Sequence, residues 1–237
     1  MIAPKSYRVD VEQITSFESL ASHLAEAEGK YAKSSLEAYF FENAYTGSLF
    51  ESFCSKDPNR FSAEDIVAVS MLSVNIPASA TRWILGDGSE KLSELLHKIN
   101  EQLSIDNPDA DLTNGGHAWK LWKELSNRWG IGETKCSKLL ASKRPALFPI
   151  YDQHVADALN LSSNHYWRPW QEFMRSQRGI ESRKRINSIA QELDKSHLSE
   201  LRLFDVIIWM QRHGHKYITA KLVSERKMIP VNYAKPV

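Results

Sequence analysis

The chain has 237 residues, 42% of them hydrophobic and 25% charged, with a formal net charge of +1; that is enough apolar material for one large domain or two small ones around shared helices. Its longest apolar runs, Ile66 to Leu72 and Phe204 to Met210, fall far short of the roughly 20 residues of a membrane span, and the N-terminus carries no secretory or transit pattern, so a cytoplasmic protein without a membrane partner is expected. Cys54 and Cys136 are too few for an iron–sulfur cluster or a Cys-rich zinc site, and neither a metal nor a cofactor is expected.

Apolar residues recur at three- and four-residue spacing in Phe17 to Ala27, Ile66 to Val74, Leu92 to Leu103, Trp119 to Leu125, Ile186 to Leu193 and Leu198 to Met210, and no alternating run competes with them. Start signals agree: Ser62 with Asp65 three residues on forms a capping-box pattern, Pro77 suits a first turn, Ser196 precedes the Leu198 helix, and Gly214 suits a stop. Gly, Pro, Asn and Asp clusters at Tyr45 to Gly47, Lys56 to Asn59, Gly86 to Gly88, Asn107 to Gly116, Arg144 to Pro149 and Gln177 to Gly179 break the pattern into about twelve helices. The expected fold is all-α.

Charge divides this helical chain. Residues 1–117 hold 9 Lys and Arg against 18 Asp and Glu, a net −9, whereas residues 118–237 hold 21 against 11, a net +10. The division expected is an acidic lobe over residues 1–116, a basic lobe over 117–230 and a tail over 231–237, with a cleft between the lobes. A basic half can hold a polyanion, although a solvated helix face also carries such charge.

Within the basic half, Trp119 to Leu140 reads as a helix, a Gly130-Ile131-Gly132 turn and a second helix. Two bare glycines permit positive φ and a close approach, Ile131 can pack between the helices, and the amides opening the second helix then face a phosphate. Thr134, Lys135 and Lys138 lie on that helix, and Lys143 and Arg144 follow it, adding cations near the same backbone. A Gly-x-Gly turn is by itself also an ordinary helix connection.

The next stretch runs Lys143-Arg-Pro-Ala-Leu-Phe-Pro-Ile-Tyr-Asp152-Gln-His-Val-Ala-Asp-Ala-Leu. Residues 117–142 as a hairpin and 143–160 as a proline-bearing loop opening a helix at Asp152 resemble, in order and spacing, the helix-hairpin-helix, Gly/Pro-rich loop, aspartate superfamily of DNA glycosylases. The resemblance implies a glycosylase-like helical fold, double-stranded DNA with a flipped nucleotide as partner, no obligate protein partner, and Asp152 as the catalytic carboxylate. It implies backbone contacts from Gly130, Ile131, Gly132, Thr134, Lys135 and Lys138. Breaking an N-glycosidic bond builds positive charge on the sugar, which a nearby carboxylate stabilises. Asp is equally a preferred helix N-cap. Thr134 occupies the place where strand-cleaving members carry a Schiff-base Lys, which implies a monofunctional, water-using enzyme. Without cluster cysteines or the early acid of the adenine-excising branch, adenine is not the expected substrate. A bulky modified base is expected instead, for instance glycosylated hydroxymethylcytosine of phage DNA, as in similar proteins acting in antiviral defence.

Tyr45, Tyr151 and His154 are candidate base-pocket residues, with Phe50, Trp167 and Trp170 as further aromatics that core packing would also explain. The run Arg175 to Arg185 is either a DNA contact or a solvated face. Asp205 is expected to be partly buried and paired with Arg202.

Overall fold

The computed structural model describes residues 13–40, 45–162 and 166–213, and these are all-helical, with no strand among them. Twelve α-helices follow in chain order: α1 (Phe17–Ala25), α2 (Lys30–Phe40), α3 (Phe50–Phe53), α4 (Ala63–Met71), α5 (Ala78–Leu85), α6 (Ser89–His97), α7 (His117–Ser126), α8 (Glu133–Lys143), α9 (Gln153–Leu159), α10 (Trp167–Arg175), α11 (Gln177–Glu192) and α12 (Glu200–His213). No helix among the described residues is long and apolar enough to cross a membrane. Gly214 and the 231–237 tail lie outside the described residues.

Local signals set several boundaries. Ser62 and Asp65 form the reciprocal capping box at the start of α4, and Ser16 does the same with Ser19 at α1. The last helix starts later than Ser196: α12 begins at Glu200, and Ser199 Oγ accepts the Arg202 N–H at 3.2 Å. The expected helix over 92–103 ends at His97 as α6. Its last carbonyls are claimed by a distant cation, since the Arg144 guanidinium donates to Leu96 O and Ile99 O, both at 2.8 Å from Nη2. A buried arginine thus satisfies the orphan carbonyls of a helix terminus and lets the chain turn there.

Packing joins distant parts of the chain. α1 lies on α11, and α2 lies on α12, so the first and last described helices form one packed group; α4 lies on α8, and α5, α6, α7 and α8 pack successively. α9 packs on α12. These pairings cross the division at residue 116, and the buried apolar residues form one continuous cluster from Ile14 to Met210.

α8 is the central element. Every residue from Cys136 to Lys143 is buried, so the helix has no solvated face over its last two turns. Its polar members each need partners inside the protein. Ser137 Oγ accepts the Tyr151 N–H at 2.9 Å, which fixes the chain just before Asp152. Lys143 lies 2.6 Å from Asp65 with both side chains fully buried, and also donates to Ser55 Oγ and Asp57 O. Lys143 and Arg144 are therefore structural cations, contrary to their expected place beside DNA. Neighbouring loops supply carbonyls and a carboxylate to the Lys side chains of α8, so its polar residues are buried with the apolar ones.

Candidate functional site

The α7–α8 hairpin is built as its residues require. Gly130 has φ +78°, and a Cβ there would stand 2.5 Å from Pro77 Cγ at the start of α5. Both conformation and space therefore call for glycine. Ile131 is buried, the plug expected between the helices. Gly132 departs from expectation: with φ −85° and ψ −179° it is an ordinary extended N-cap, and a Cβ would meet nothing within 4 Å. Nothing inside the chain needs a glycine at 132. Gly132 offers no side-chain cap to the amides opening α8.

Of the cations expected on this hairpin, one stays at its mouth. Lys135 Nζ donates to Gly130 O at 2.8 Å on the exposed side, and Thr134 is half-buried beside it. Lys138 is displaced from the expected role. It is 4% exposed, and its ammonium donates to Leu72 O at 2.8 Å and lies 3.8 Å from Asp152 Oδ2. One turn beyond Thr134, it points inward to Leu72 at the end of α4 and to Asp152 at the head of α9. Burial lowers its pKa, and the nearby Asp152 and Asp205 carboxylates oppose that shift.

Asp152 is the N-cap of α9. Its Oδ1 accepts the His154 N–H at 2.9 Å while Oδ2 faces Lys138, and the side chain remains 21% exposed. A helix N-terminus and an ammonium both interact favourably with its negative charge. Behind Asp152 and Lys138 lies a second buried charge group on α12. Arg202 is 2.6 Å from Asp205 as expected, and it also engages Glu51, the Tyr39 hydroxyl and Gly47 O. Asp205 is pushed up to about 6, foremost by burial, with Asp152 raising it further and Arg202 and Lys138 opposing. Its Oδ1 is buried without a hydrogen-bond partner among the described residues. Glu51, Lys138, Asp152, Arg202 and Asp205 thus form one electrostatically coupled cluster drawn from α3, α8, α9 and α12. Of this cluster the sequence showed the Arg202–Asp205 pair, three residues apart on one helix; the approach of Lys138, Asp152 and Glu51 to it comes from other elements.

The candidate pocket residues separate. Tyr45, half-buried, stacks on Tyr39 at 5.3 Å and meets Trp209 edge-on at 5.5 Å, and it adjoins the Gly47 carbonyl held by Arg202. It belongs to the edge of the cluster. Tyr151 packs its ring against Tyr166 and is 9% exposed, a core residue instead of a pocket wall. His154 is exposed on the first turn of α9. Phe50 and Trp170 are core. In the run Arg175 to Arg185, Arg175 donates to Asp106 O and Asn107 O, and Arg183 is paired with Asp106 and Glu200, so these two guanidiniums hold the 106–107 loop.

Two features escaped the sequence. A recess of about 470 Å³ lies between α7 and α10, walled by Trp119, Trp122, Trp167 and Tyr166 with Glu133 and Arg168 at its edges. It falls within the roughly 300–1,000 Å³ of small-molecule sites. The Tyr166 hydroxyl donates to Ile150 O at 2.6 Å, two residues before Asp152. The other is Trp129, which stands 82% exposed on the hairpin turn. Among the described residues, no group of three His, Cys, Asp or Glu side chains gathers to hold a metal.

Residues 32–212 match a family of unknown function, DUF6308. The chain belongs to that family. No curated protein and no solved structure matches the chain.

Proposed function

We propose that this member of the DUF6308 family is a monofunctional DNA glycosylase with Asp152 at its chemical centre. The observation that carries the reading is the position of that carboxylate: partly exposed, opening α9, 3.8 Å from the Lys138 ammonium, and reached from an open-ended hairpin by one loop. In this reading the hairpin amides and Lys135 hold a phosphate, and a nucleotide turned out of the helix brings its sugar to Asp152 in a cleft between two helical lobes. The carboxylate stabilises the cationic sugar as the glycosidic bond breaks, and it orients the attacking water. Lys138 acts as a positioning residue, steadying the ionised carboxylate from the protein side. Thr134 at the mouth of α8 supports water over an amine as nucleophile.

The base we favour is bulky and modified, such as glycosylated hydroxymethylcytosine, in a role of antiviral defence in the cytoplasm. A second reading also has an observation behind it: both Asp152 oxygens are engaged within the chain, one in a cap and one near Lys138, as in a DNA-binding protein without chemistry.

The test is incubation with DNA carrying unmodified, oxidised, alkylated or glycosylated bases, followed by assay for free base and abasic sites. The glycosylase reading expects abasic sites with at least one DNA and at least a hundredfold slower formation by Asp152→Asn, given that one electrostatic group at a reacting centre is worth about 10²–10³ in rate. DNA binding without abasic sites on any substrate establishes the second reading instead.

A further inference from the structure

Trp129 is the most exposed large apolar side chain among the described residues, at 82% against 42% for the next, Val67. It is unlike the neighbouring aromatics. Trp83 lies under the Arg128 guanidinium at 3.6 Å, and Trp119 and Trp122 pack on Trp167. An indole in water forgoes most of the apolar burial that a tryptophan can contribute, so this position contributes little to the fold.

Its neighbours identify a partner. Trp129 directly precedes Gly130-Ile131-Gly132, so it is anchored by the buried Ile131 plug and by the close packing of Gly130 on Pro77, which leaves no room for a Cβ. Three residues further on, Gly132 leaves open space where a side chain would stand, and no side chain caps the amides of α8. The hairpin from His117 to Lys135 carries Lys120, Lys123, Arg128 and Lys135 against Glu124 and Glu133, with Lys120 and Lys123 exposed. Arg128 and Lys91 both pair with Glu124, which neutralises that acid. An exposed ring beside uncapped amides and the Lys135 ammonium is complementary to a ligand that combines phosphate with an aromatic face. A nucleic-acid strand has both, and stacking on its bases is tolerant of sequence.

Resting on the DNA reading above, we propose that Trp129 is the stacking element of the hairpin: the amides and Lys135 hold one phosphate, and the indole lies on an unpaired base of the same strand. Four Cα-to-Cα steps, about 14 Å at most when extended, separate Trp129 from Glu133, and bases rise about 3.4 Å per step, so the base lies within about four steps of the phosphate. Inserting the indole into an intact stack costs unstacking energy, which an already unpaired base avoids. The preferred partner is therefore DNA with a gap or flipped-out position over continuous duplex.

The experiment is fluorescence anisotropy with end-labelled DNA, comparing continuous duplex with duplex carrying a short single-stranded gap, across 50–200 mM salt. Wild-type protein binds the gapped DNA more tightly. Trp129→Ala weakens gapped binding by about tenfold or more, Trp129→Phe restores most of it, and the salt slope stays unchanged because no charge is removed. Lys135→Ala weakens both DNAs and reduces the slope by about one. Because Trp129 is exposed, its variants keep the wild-type thermal midpoint. If Trp129→Ala binds both DNAs like wild type while Lys135→Ala does not, the stacking role is wrong and the hairpin reading stands. If wild-type protein binds neither DNA, both fall.

Discussion

The two ends of α8 carry the same kinds of residue and are built for opposite purposes. At its start, Gly132, Thr134 and Lys135 leave uncapped amides and a cation at the surface beside an exposed indole. In its second half, Lys138, Lys143 and the following Arg144 are buried, and each meets carbonyl or carboxylate oxygens of the chain. A lysine contributes to binding only where its charge is still available. The buried end spends its cations on holding the loops between α3 and α4 and after α6, and that rigid support is what keeps the open end in place.

The largest effect expected is at the buried end. Lys143→Met leaves the Asp65 carboxylate buried with its two backbone N–H partners, Ser55 and Ser62, but without its counter-ion. Stability should fall by about 3–5 kcal/mol in urea unfolding, and adding Asp65→Asn should recover a large part. An unaffected single variant would show that the pair is not the support described.

Next in size is a pH effect in the coupled cluster. Asp205 has its folded pKa raised to about 6 from 3.8, so the folded state holds its proton more tightly than the unfolded state. The stability from this group is full below about pH 4 and is lost as pH rises through about 6, by about 3 kcal/mol for a two-unit shift. Asp205→Asn lacks this loss, so its stability relative to wild type should improve by up to that amount between pH 4 and pH 7. A constant difference across that range would contradict the coupling. Asp106, Asp111 and Glu124, whose pKa values are lowered, act in the opposite sense and cancel in the comparison.

The smallest effects separate the two glycines at the open end. Gly130→Ala meets both a positive φ and Pro77, and should cost about 1–3 kcal/mol. Gly132→Ser meets open space and has a preferred cap residue's backbone, so the fold should gain a few tenths of a kcal/mol. The new hydroxyl accepts an α8 amide that a phosphate would otherwise take, so DNA binding in the same anisotropy assay should weaken. Stability and binding then move in opposite directions at one position, which a purely structural glycine would not produce.

Much of the helical pattern is legible in the sequence because it is local. The Ser62–Asp65 box, the Gly130 turn, the Ile131 plug, the Asp152 cap and the Arg202–Asp205 pair all depend on residues within a few positions of one another. The expected helix past His97 fails for a non-local reason: Arg144, more than forty residues away, takes the carbonyls that end α6. Tyr151 reads as a pocket aromatic because a flipped base needs aromatic walls, yet its ring is buried against Tyr166, fifteen residues on.

The sequence by itself determined an all-α chain, a hairpin with a bare glycine turn and an aspartate at the head of the following helix, since hydrogen-bond periodicity and capping act over single turns. Only the tertiary structure decided which cations remain available. Burial depends on which helices pack on α8, and a lysine's distance from a carboxylate on another element has no trace in its own spacing. It moved Lys138 from an expected DNA contact to the inner side of Asp152 and left Trp129 in the open.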